Sequence, residues 1–226
     1  MFLTLILSSF LTFMELNCEN LFDTRHDSLK NDLEFLPDGS YRWTPYRYWA
    51  KLNHLGQEIV AQSNPIPDFV AMCEVENDSV MFDLTRRSLL RNAGYEYVMT
   101  SSPDERGIDV ALLYQPASFA LLHSHSIRIK PLPDTRPTRD ILYVSGLIIT
   151  GDTLHVFVVH APSRRGGEQA SRPYRLHVAD RLAAAVDSIY AESRDAKIIV
   201  AGDFNDYADS PALKRLYQHH LINISH

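Results

Sequence analysis

The sequence of 226 residues has little of several features that would restrict its class. It contains two cysteines, Cys18 and Cys73, which are too few for a disulfide scaffold or a structural zinc site. Both lie in apolar surroundings and are interpreted as small buried hydrophobic residues. An excess of basic charge is also lacking, since the net charge is -6. This balance argues against a protein that coats nucleic acid non-specifically, because such binding needs many cations against phosphates, but it leaves room for a local basic patch.

No internal repeat, low-complexity tract or linker rich in Pro, Gly or Ser divides the chain. With 45% hydrophobic and 10% aromatic residues, it can fill one sizeable core, and we expect a single domain over residues 1–226. The apolar run "MFLTLILSSFLTF" (1–13) has no preceding Lys or Arg and no Ala-x-Ala site after it. It is too short to cross a bilayer comfortably, so no stable membrane span is expected. It is either an export signal or the start of the first strand, which leaves localisation open between cytoplasmic and exported.

Short apolar runs alternate with helical stretches, which is typical of an α/β or α+β domain. The turn "TGDT" at 150–153 indicates a hairpin, so part of the sheet is expected to be antiparallel. The polar segment 23–46 predicts a long loop over one edge of the domain. Strands are predicted at 11–17, 68–74, 95–100, 108–115, 119–129, 141–149, 153–159 and 197–203, and helices at 46–63, 79–92, 168–194 and 210–219.

Four of the predicted strands end in polar side chains. They are Asn17, Glu74, His160 and Asp203, the last followed at once by Asn205. Almost no other polar residue interrupts these runs, so we expect the ends to converge in the packed sheet. Hard oxygen ligands beside a histidine and arginines are what Mg²⁺-assisted phosphoryl chemistry requires.

Each of these residue types also has a common structural role. A carboxylate after a strand is usually a turn former or a helix cap, and this interpretation is preferred for Asp206 and Asp209. A histidine behind "VFVV" is often a hydrogen-bonded core residue. Cys18 and Cys73 flank two of the site residues, so strand alternation predicts their thiols on the opposite face, where they could be neighbours.

Five motifs together carry a family resemblance: "NCENLFD" (17–23), "CEVEN" (73–77), "RGIDVALLY" (106–114), "HAPSRRGGE" (160–168) and "GDFND" (202–206). In this order they resemble the endonuclease/exonuclease/phosphatase family, which includes DNase I. The resemblance implies an α/β fold, a four-layer sandwich of two mixed β-sheets with helices outside. It also implies a Mg²⁺- or Mn²⁺-dependent hydrolase of phosphate esters, in which water attacks phosphorus.

The resemblance assigns a role to each matching residue. Glu74 is the expected principal metal ligand, and Asn17 supports the metal or a phosphate oxygen. Asp203 binds or orients the attacking water, and Asn205 helps to position it. His160 donates to a phosphoryl oxygen. The phosphate-binding candidates are Arg106, Arg164 and Arg165.

The pattern departs from the family at its end. Relatives have a late Asp-His pair on a strand well beyond "GDFN", whereas Ser225 and His226 lack the Asp and come too early. The chain is therefore expected to be truncated and to lack its final strands, and the role of that pair is not transferred to His226. The expected partner is a phosphate-ester substrate, either nucleic acid or a small molecule, and a monomer is expected. The alternative is a non-catalytic binding domain or an inactive truncated member of the family.

Overall fold

The computed structural model describes residues 10–62, 64–133 and 135–224. Two four-stranded sheets, with strand orders β1-β2-β4-β3 and β5-β6-β7-β8, pack face to face. The first sheet comprises β1 Phe13–Leu21, β2 Phe69–Val75, β3 Glu96–Met99 and β4 Asp109–Tyr114, and the second comprises β5 Phe119–Ile127, β6 Ile141–Ile148, β7 Thr153–His160 and β8 Lys197–Asp203. Each sheet is mixed, because β1–β2 and β7–β8 are parallel and the other pairs are antiparallel.

In the described ranges, four α-helices cover the outer faces of the two sheets. They are α1 Pro45–Ala61, α2 Asp78–Arg86, α3 Glu168–Glu192 and α4 Pro211–Tyr217. The first two pack on the first sheet, with residues such as Leu52 and Leu84 in the shared core. The other two pack on the second sheet, where Leu182 and Leu216 meet Phe157. A third core, which includes Phe69, Leu112 and Val156, lies between the sheets. The predicted four-layer α/β sandwich is therefore confirmed, and the hairpin at 150–153 joins β6 to β7 as expected.

The helix starts follow ordinary capping chemistry. Asn77 accepts a hydrogen bond from Val80 N at 3.0 Å, and Ser210 accepts one from Leu213 N at 3.3 Å. Asp209 lies in the turn just before this cap, so of its two expected roles, turn former or helix cap, the structure gives it the first. α2 ends at Arg86, and Ser88 caps the following 3₁₀ turn, Leu89–Asn92, by accepting a hydrogen bond from Leu90 N at 3.1 Å, so the predicted helix 79–92 is split in two.

The first strand is longer than predicted and is irregular. It continues past Asn17 to Leu21, and its pairing with β2 shifts between those two residues. Glu19 and Asn20 have φ values of 50° and 63° in this stretch, so the strand bends and resumes pairing at Leu21. The sequence predicts Asn17 at the end of a strand. In the structure it lies within the strand, just before a bulge.

The segment before α1 forms the predicted loop, with one short 3₁₀ turn at Leu33–Phe35. Lys30 donates from Nζ to the carbonyls of Ser102 and Asp104, and Trp43 donates from Nε1 to Phe22 O. These contacts hold the loop against the edge of the first sheet. Among the described residues, no helix is both long and apolar enough to cross a membrane. Residues 1–9 of the apolar segment 1–13 lie outside the described residues, as do Ser225 and His226. The expectations of a single domain and of a monomer stay predictions.

Candidate active site

Two contacts between the sheets join the four predicted polar residues at one edge of the sandwich. Asn17 Nδ2 on β1 donates to Asp203 Oδ2 on β8 at 3.0 Å. His160 Nε2 on β7 lies 3.8 Å from Glu74 Oε1 on β2. The fold therefore brings these four residues together as expected. In each contact, one residue belongs to the first sheet and the other to the second.

The second sheet supplies its residues from a regular parallel pair of strands. His160 and Asp203 are register partners at the ends of β7 and β8, so their backbones lie side by side. Gly202, with φ of 122°, lets the two backbones approach, since a Cβ there would lie 2.0 Å from Val159 O. Asp203 Oδ1 accepts the Asn205 N–H at 2.7 Å, and Asn205 Nδ2 donates to Ala161 O at 3.1 Å. These bonds hold Asp203 and Asn205 in place.

The first sheet supplies its residues from backbone irregularities. Glu74 has φ of 62°, and the pairing of β2 with β4 shifts across it, between Cys73 and Val75. A left-handed residue in a strand turns its side chain away from the ordinary alternation. Asn17 Oδ1 accepts the Glu19 N–H at 2.9 Å, which stabilises the bulge that follows it.

The cysteines show the consequence of this broken alternation. Both are buried, with Cys18 in the core beneath the helices and Cys73 in the core between the sheets, so their interpretation as buried hydrophobic residues is confirmed. Their expected placement on one face is wrong, although the two thiols are close enough for Cys73 to raise the pKa of Cys18, second to burial. The parallel register pairs Cys73 with Asn17, which places those two on the same face, and burial raises the pKa of the Cys73 thiol to about 12.

The three predicted phosphate-binding arginines have different surroundings. Arg106 bridges the first sheet, with Nη2 donating to Glu74 Oε1 at 3.4 Å and Nη1 donating to Asn20 Oδ1 at 2.8 Å. Arg164 stacks over the ring of Tyr207 at 4.3 Å. Neither Arg164 nor Arg165 forms an ion pair with a carboxylate in the described part of the chain. Both lie in the loop between β7 and α3.

One buried arginine of the site was missed from the sequence. Arg139 donates to Ala161 O at 2.8 Å and pairs with Asp104 at 3.3 Å, and its side chain is only 10% exposed. It precedes β6, which is antiparallel to β7, so the start of β6 lies at the same edge as the end of β7. Because Arg139 precedes a strand and does not follow one, the pattern of polar strand ends does not point to it; the polar "TRD" just before an apolar run is the available signal.

Burial and two cations keep His160 neutral. Its side chain is buried, and desolvation, Arg139 and Arg106 together lower its pKa to about 2. Its Nδ1 atom and the Nε of Arg139 are buried, and neither has a hydrogen-bond partner among the described residues. Unpaired buried polar atoms are costly, so both atoms have capacity for a ligand or water oxygen.

The donor set fits a hard divalent cation with few protein ligands. No group of three or more His, Cys, Asp or Glu side chains in the described ranges is arranged to hold a metal ion. That excludes a closed zinc-type cage among these residues, whereas Mg²⁺ is commonly held by one or two carboxylates and keeps several waters. Glu74, an acid at the converged edge with Oε1 3.8 Å from His160 Nε2, has the chemistry for that single ligand.

Comparisons with known proteins show the family of the chain and proteins of similar fold. The sequence model of the endonuclease/exonuclease/phosphatase family matches residues 12–220. A similar fold is found in the human Nocturnin catalytic domain, with 20% identity and a TM-score of 0.62; the match covers 90% of this chain and 68% of that one. Another is found in Bacteroides thetaiotaomicron mannosyl-6-phosphatase, with 17% identity and a TM-score of 0.64; the match covers 92% of this chain and 70% of that one. A third similar fold is that of humanized D. rerio TDP2, with 17% identity and a TM-score of 0.58; the match covers 91% of this chain and 66% of that one.

These matches establish the family of the chain but not its substrate or activity. The chain spans 66% to 70% of the length of the three structures, and at these identities the likeness shows the fold alone. No curated protein sequence matches the chain. The family model covers nearly all of the described residues, and the chain therefore belongs to the endonuclease/exonuclease/phosphatase family.

Proposed function

We propose that the protein is a Mg²⁺- or Mn²⁺-dependent hydrolase that directs water at the phosphorus of a phosphate ester. Family membership supports the coarse assignment to the phosphoesterases. The observation that carries the finer proposal is the pair of cross-sheet contacts, Asn17 with Asp203 and His160 with Glu74, which gathers acid, amide and imidazole at one edge. Positioning and electrostatics supply most of phosphoryl-transfer catalysis, and these residues are held by strands.

Asp203 is suited to orient the attacking water and accept its proton. Each of its oxygens accepts one protein hydrogen bond, from Asn17 Nδ2 and from Asn205 N. A carboxylate oxygen has two lone pairs, so each oxygen keeps one for water. The two bonds hold the carboxylate at a defined angle, which is what general-base catalysis requires.

The remaining residues offset the charge of the phosphate. Neutral His160 donates a hydrogen bond to a phosphoryl oxygen, and Arg106, Arg164 and Arg165 supply positive charge around it. A divalent cation held by Glu74 would stabilise negative charge on the phosphoryl oxygens. Arg106 has a second task, because its bond to Glu74 Oε1 orients the metal ligand.

The substrate stays open between nucleic acid and a small phosphate ester. One structure of D. rerio TDP2 was determined with a single-strand DNA product, and another similar protein is named a mannosyl-6-phosphatase. The net charge of -6 favours a small substrate slightly, because an acidic protein repels a long polyanion.

The test is hydrolysis of bis-p-nitrophenyl phosphate, p-nitrophenyl phosphate and plasmid DNA with Mg²⁺ or Mn²⁺. Asp203→Asn should reduce the rate about 10²- to 10⁴-fold, the usual contribution of acid-base catalysis. Asp209→Asn, in the turn after Asp203 and exposed, is the matched control and should keep the rate. Glu74→Gln should abolish metal binding in calorimetry. Metal binding without turnover of any of the three substrates would favour the non-catalytic alternative.

A further inference from the structure

A cleft of about 560 Å³ lies on the outer face of the second sheet, between β5–β7 and α3. Its volume is within the range of small-molecule pockets. The catalytic proposal uses none of its residues. We call it the outer cleft; its lining includes His125, Arg128, Tyr143, Phe157, Arg181 and Glu192.

The floor of the outer cleft is a row of rings that crosses three strands. The His125 and Tyr143 ring centroids are 4.9 Å apart, and those of Tyr143 and Phe157 are 5.1 Å apart. Tyr143 OH and His155 Nδ1 form a hydrogen bond of 2.8 Å that holds the central ring. Burial and the neighbouring His123 lower the pKa of His125, so this floor is uncharged at neutral pH. The rings on either side of Tyr143 are inclined to it by 51° and 48°, so a planar ligand would stack on a single ring, and the half-buried central Tyr143 offers one, since aromatic rings stack on one another.

Two arginines stand at one end of the outer cleft. Arg128 pairs through Nε with Asp140 Oδ2 at 3.3 Å, and its side chain is 52% exposed. Arg181 is exposed and forms no hydrogen bond or ion pair in the part of the chain that the structure describes. His177, one turn before Arg181, is 3.0 Å from Lys130 O, which brings that part of α3 to the segment after Arg128. Two guanidinium groups at one end form a site for phosphate.

The opposite charge lies at the far end. Glu192, the acid among the lining residues, follows Arg181 by eleven positions on α3, or about 16 Å along the helix. It lies close enough to His155 to act on its charge. Of the two arginines at the cationic end, Arg128 is paired with Asp140, whereas Arg181 has no acidic partner among the described residues.

We infer that the outer cleft binds a nucleoside monophosphate, with its base stacked on Tyr143 and its phosphate on Arg181 and Arg128. His125 precedes Arg128 by three residues, a strand rise of about 10 Å. A ligand must therefore join a planar ring to an anion through a spacer. A base, a ribose and a phosphate provide that arrangement, whereas a simple aryl carboxylate is too short to reach both. The volume also suits a ligand of nucleotide size.

The test is calorimetric titration of the full chain with AMP in EDTA, where metal-dependent turnover is blocked. Adenosine, inorganic phosphate and 4-hydroxyphenylacetate are titrated in parallel, and each should bind at least about tenfold more weakly than AMP. Arg181→Gln should weaken AMP about tenfold or more, the usual effect of losing a charge-assisted hydrogen bond. Arg194→Gln, which alters an exposed arginine just beyond α3, is the matched control and should not change the affinity.

Tyr143→Leu should also weaken AMP, and thermal melting will show whether this variant folds. Arg181 is exposed, so Arg181→Gln keeps the test decisive even if Tyr143→Leu does not fold. Three outcomes would overturn the inference: no AMP binding, binding unchanged in Arg181→Gln, or binding lost in His160→Ala while Arg181→Gln retains it. The last outcome would place AMP in the candidate active site instead. Equal binding of 4-hydroxyphenylacetate would contradict the proposed spacing of ring and anion.

Discussion

The two sheets hold their halves of the candidate site by different means. In the second sheet, His160 and Asp203 end two regular parallel strands and are direct register partners. In the first sheet, Asn17 and Glu74 lie at pairing irregularities, where Glu19, Asn20 and Glu74 have positive φ. One half of the site is therefore a continuation of ordinary strand pairing, and the other depends on a local departure from it.

The supports behind the two halves differ in the same way. Asp206, in the turn after β8, is anchored by Arg175 at 2.8 Å, and the two side chains are 3% and 0% exposed. In the first sheet, the side chain of Arg106 that holds Glu74 is 40% exposed. Buried pairs are held by the core around them, whereas exposed ones compete with water. We expect the second half to depend on global packing and the first on a few local contacts.

Removing the buried anchor should have the largest effect on stability. Arg175→Met leaves Asp206 buried without its cation, and breaking a buried pair in this way typically costs about 3–5 kcal/mol. Urea unfolding should show this loss. Arg172→Met breaks the exposed pair with Glu168 on the same helix and should leave the unfolding midpoint unchanged. Equal effects of the two changes would mean that the pair does not anchor this half.

The close approach of β7 and β8 should be the next most sensitive feature. Gly202→Ala would place a Cβ 2.0 Å from Val159 O at a φ of 122°, so we expect a loss of about 3 kcal/mol. Gly151→Ala is the matched control. It also has positive φ, 84°, but nothing lies within 4 Å of its added Cβ, and it should cost only about 1 kcal/mol. Similar losses in thermal unfolding would contradict the role assigned to close packing.

The first sheet offers the opposite test, because its irregular residue is not glycine. Glu74→Gly and Glu74→Ala both remove the expected metal ligand, but only glycine adopts φ of 62° without strain. We expect Glu74→Gly to be more stable than Glu74→Ala by roughly 0.5–1 kcal/mol. Denaturant unfolding of the pair measures the difference. An alanine variant at least as stable as the glycine variant would show that the backbone relaxes at this position.

Acid titration should give the smallest effect. Burial alone would raise the pKa of Asp206, but hydrogen bonds from Arg175 and the Tyr207 N–H, and the charge of Arg175, hold it below its ordinary 3.8. A lowered folded pKa contributes stability above the unfolded value and loses it as pH falls through the folded value. The stability difference between the wild type and Arg175→Met should therefore shrink below about pH 4. A difference that is constant down to pH 2 would exclude the ion pair as its source.

Much of the fold could be predicted from the sequence because its elements are locally encoded. Every strand and helix of the structure overlaps a predicted one, since apolar alternation, turn residues and capping residues act over a few positions. The residues at regular strand ends, His160 and Asp203, were found for the same reason. Asp206 was interpreted as a turn former or cap, and its bond to Arg175 was missed because 31 positions separate the partners.

The sequence by itself determined the order of the elements, the buried character of the strands and the residue types brought to their ends. Its motifs also identified the family. Tertiary structure alone decided the bulges that aim Asn17 and Glu74, the place of Arg139 before an antiparallel strand, and the two faces that separate Cys18 from Cys73. The outer cleft likewise exists only where α3 crosses the ring-lined face of the second sheet. The physical reason is that register and strand direction depend on contacts between distant segments, which local periodicity does not encode.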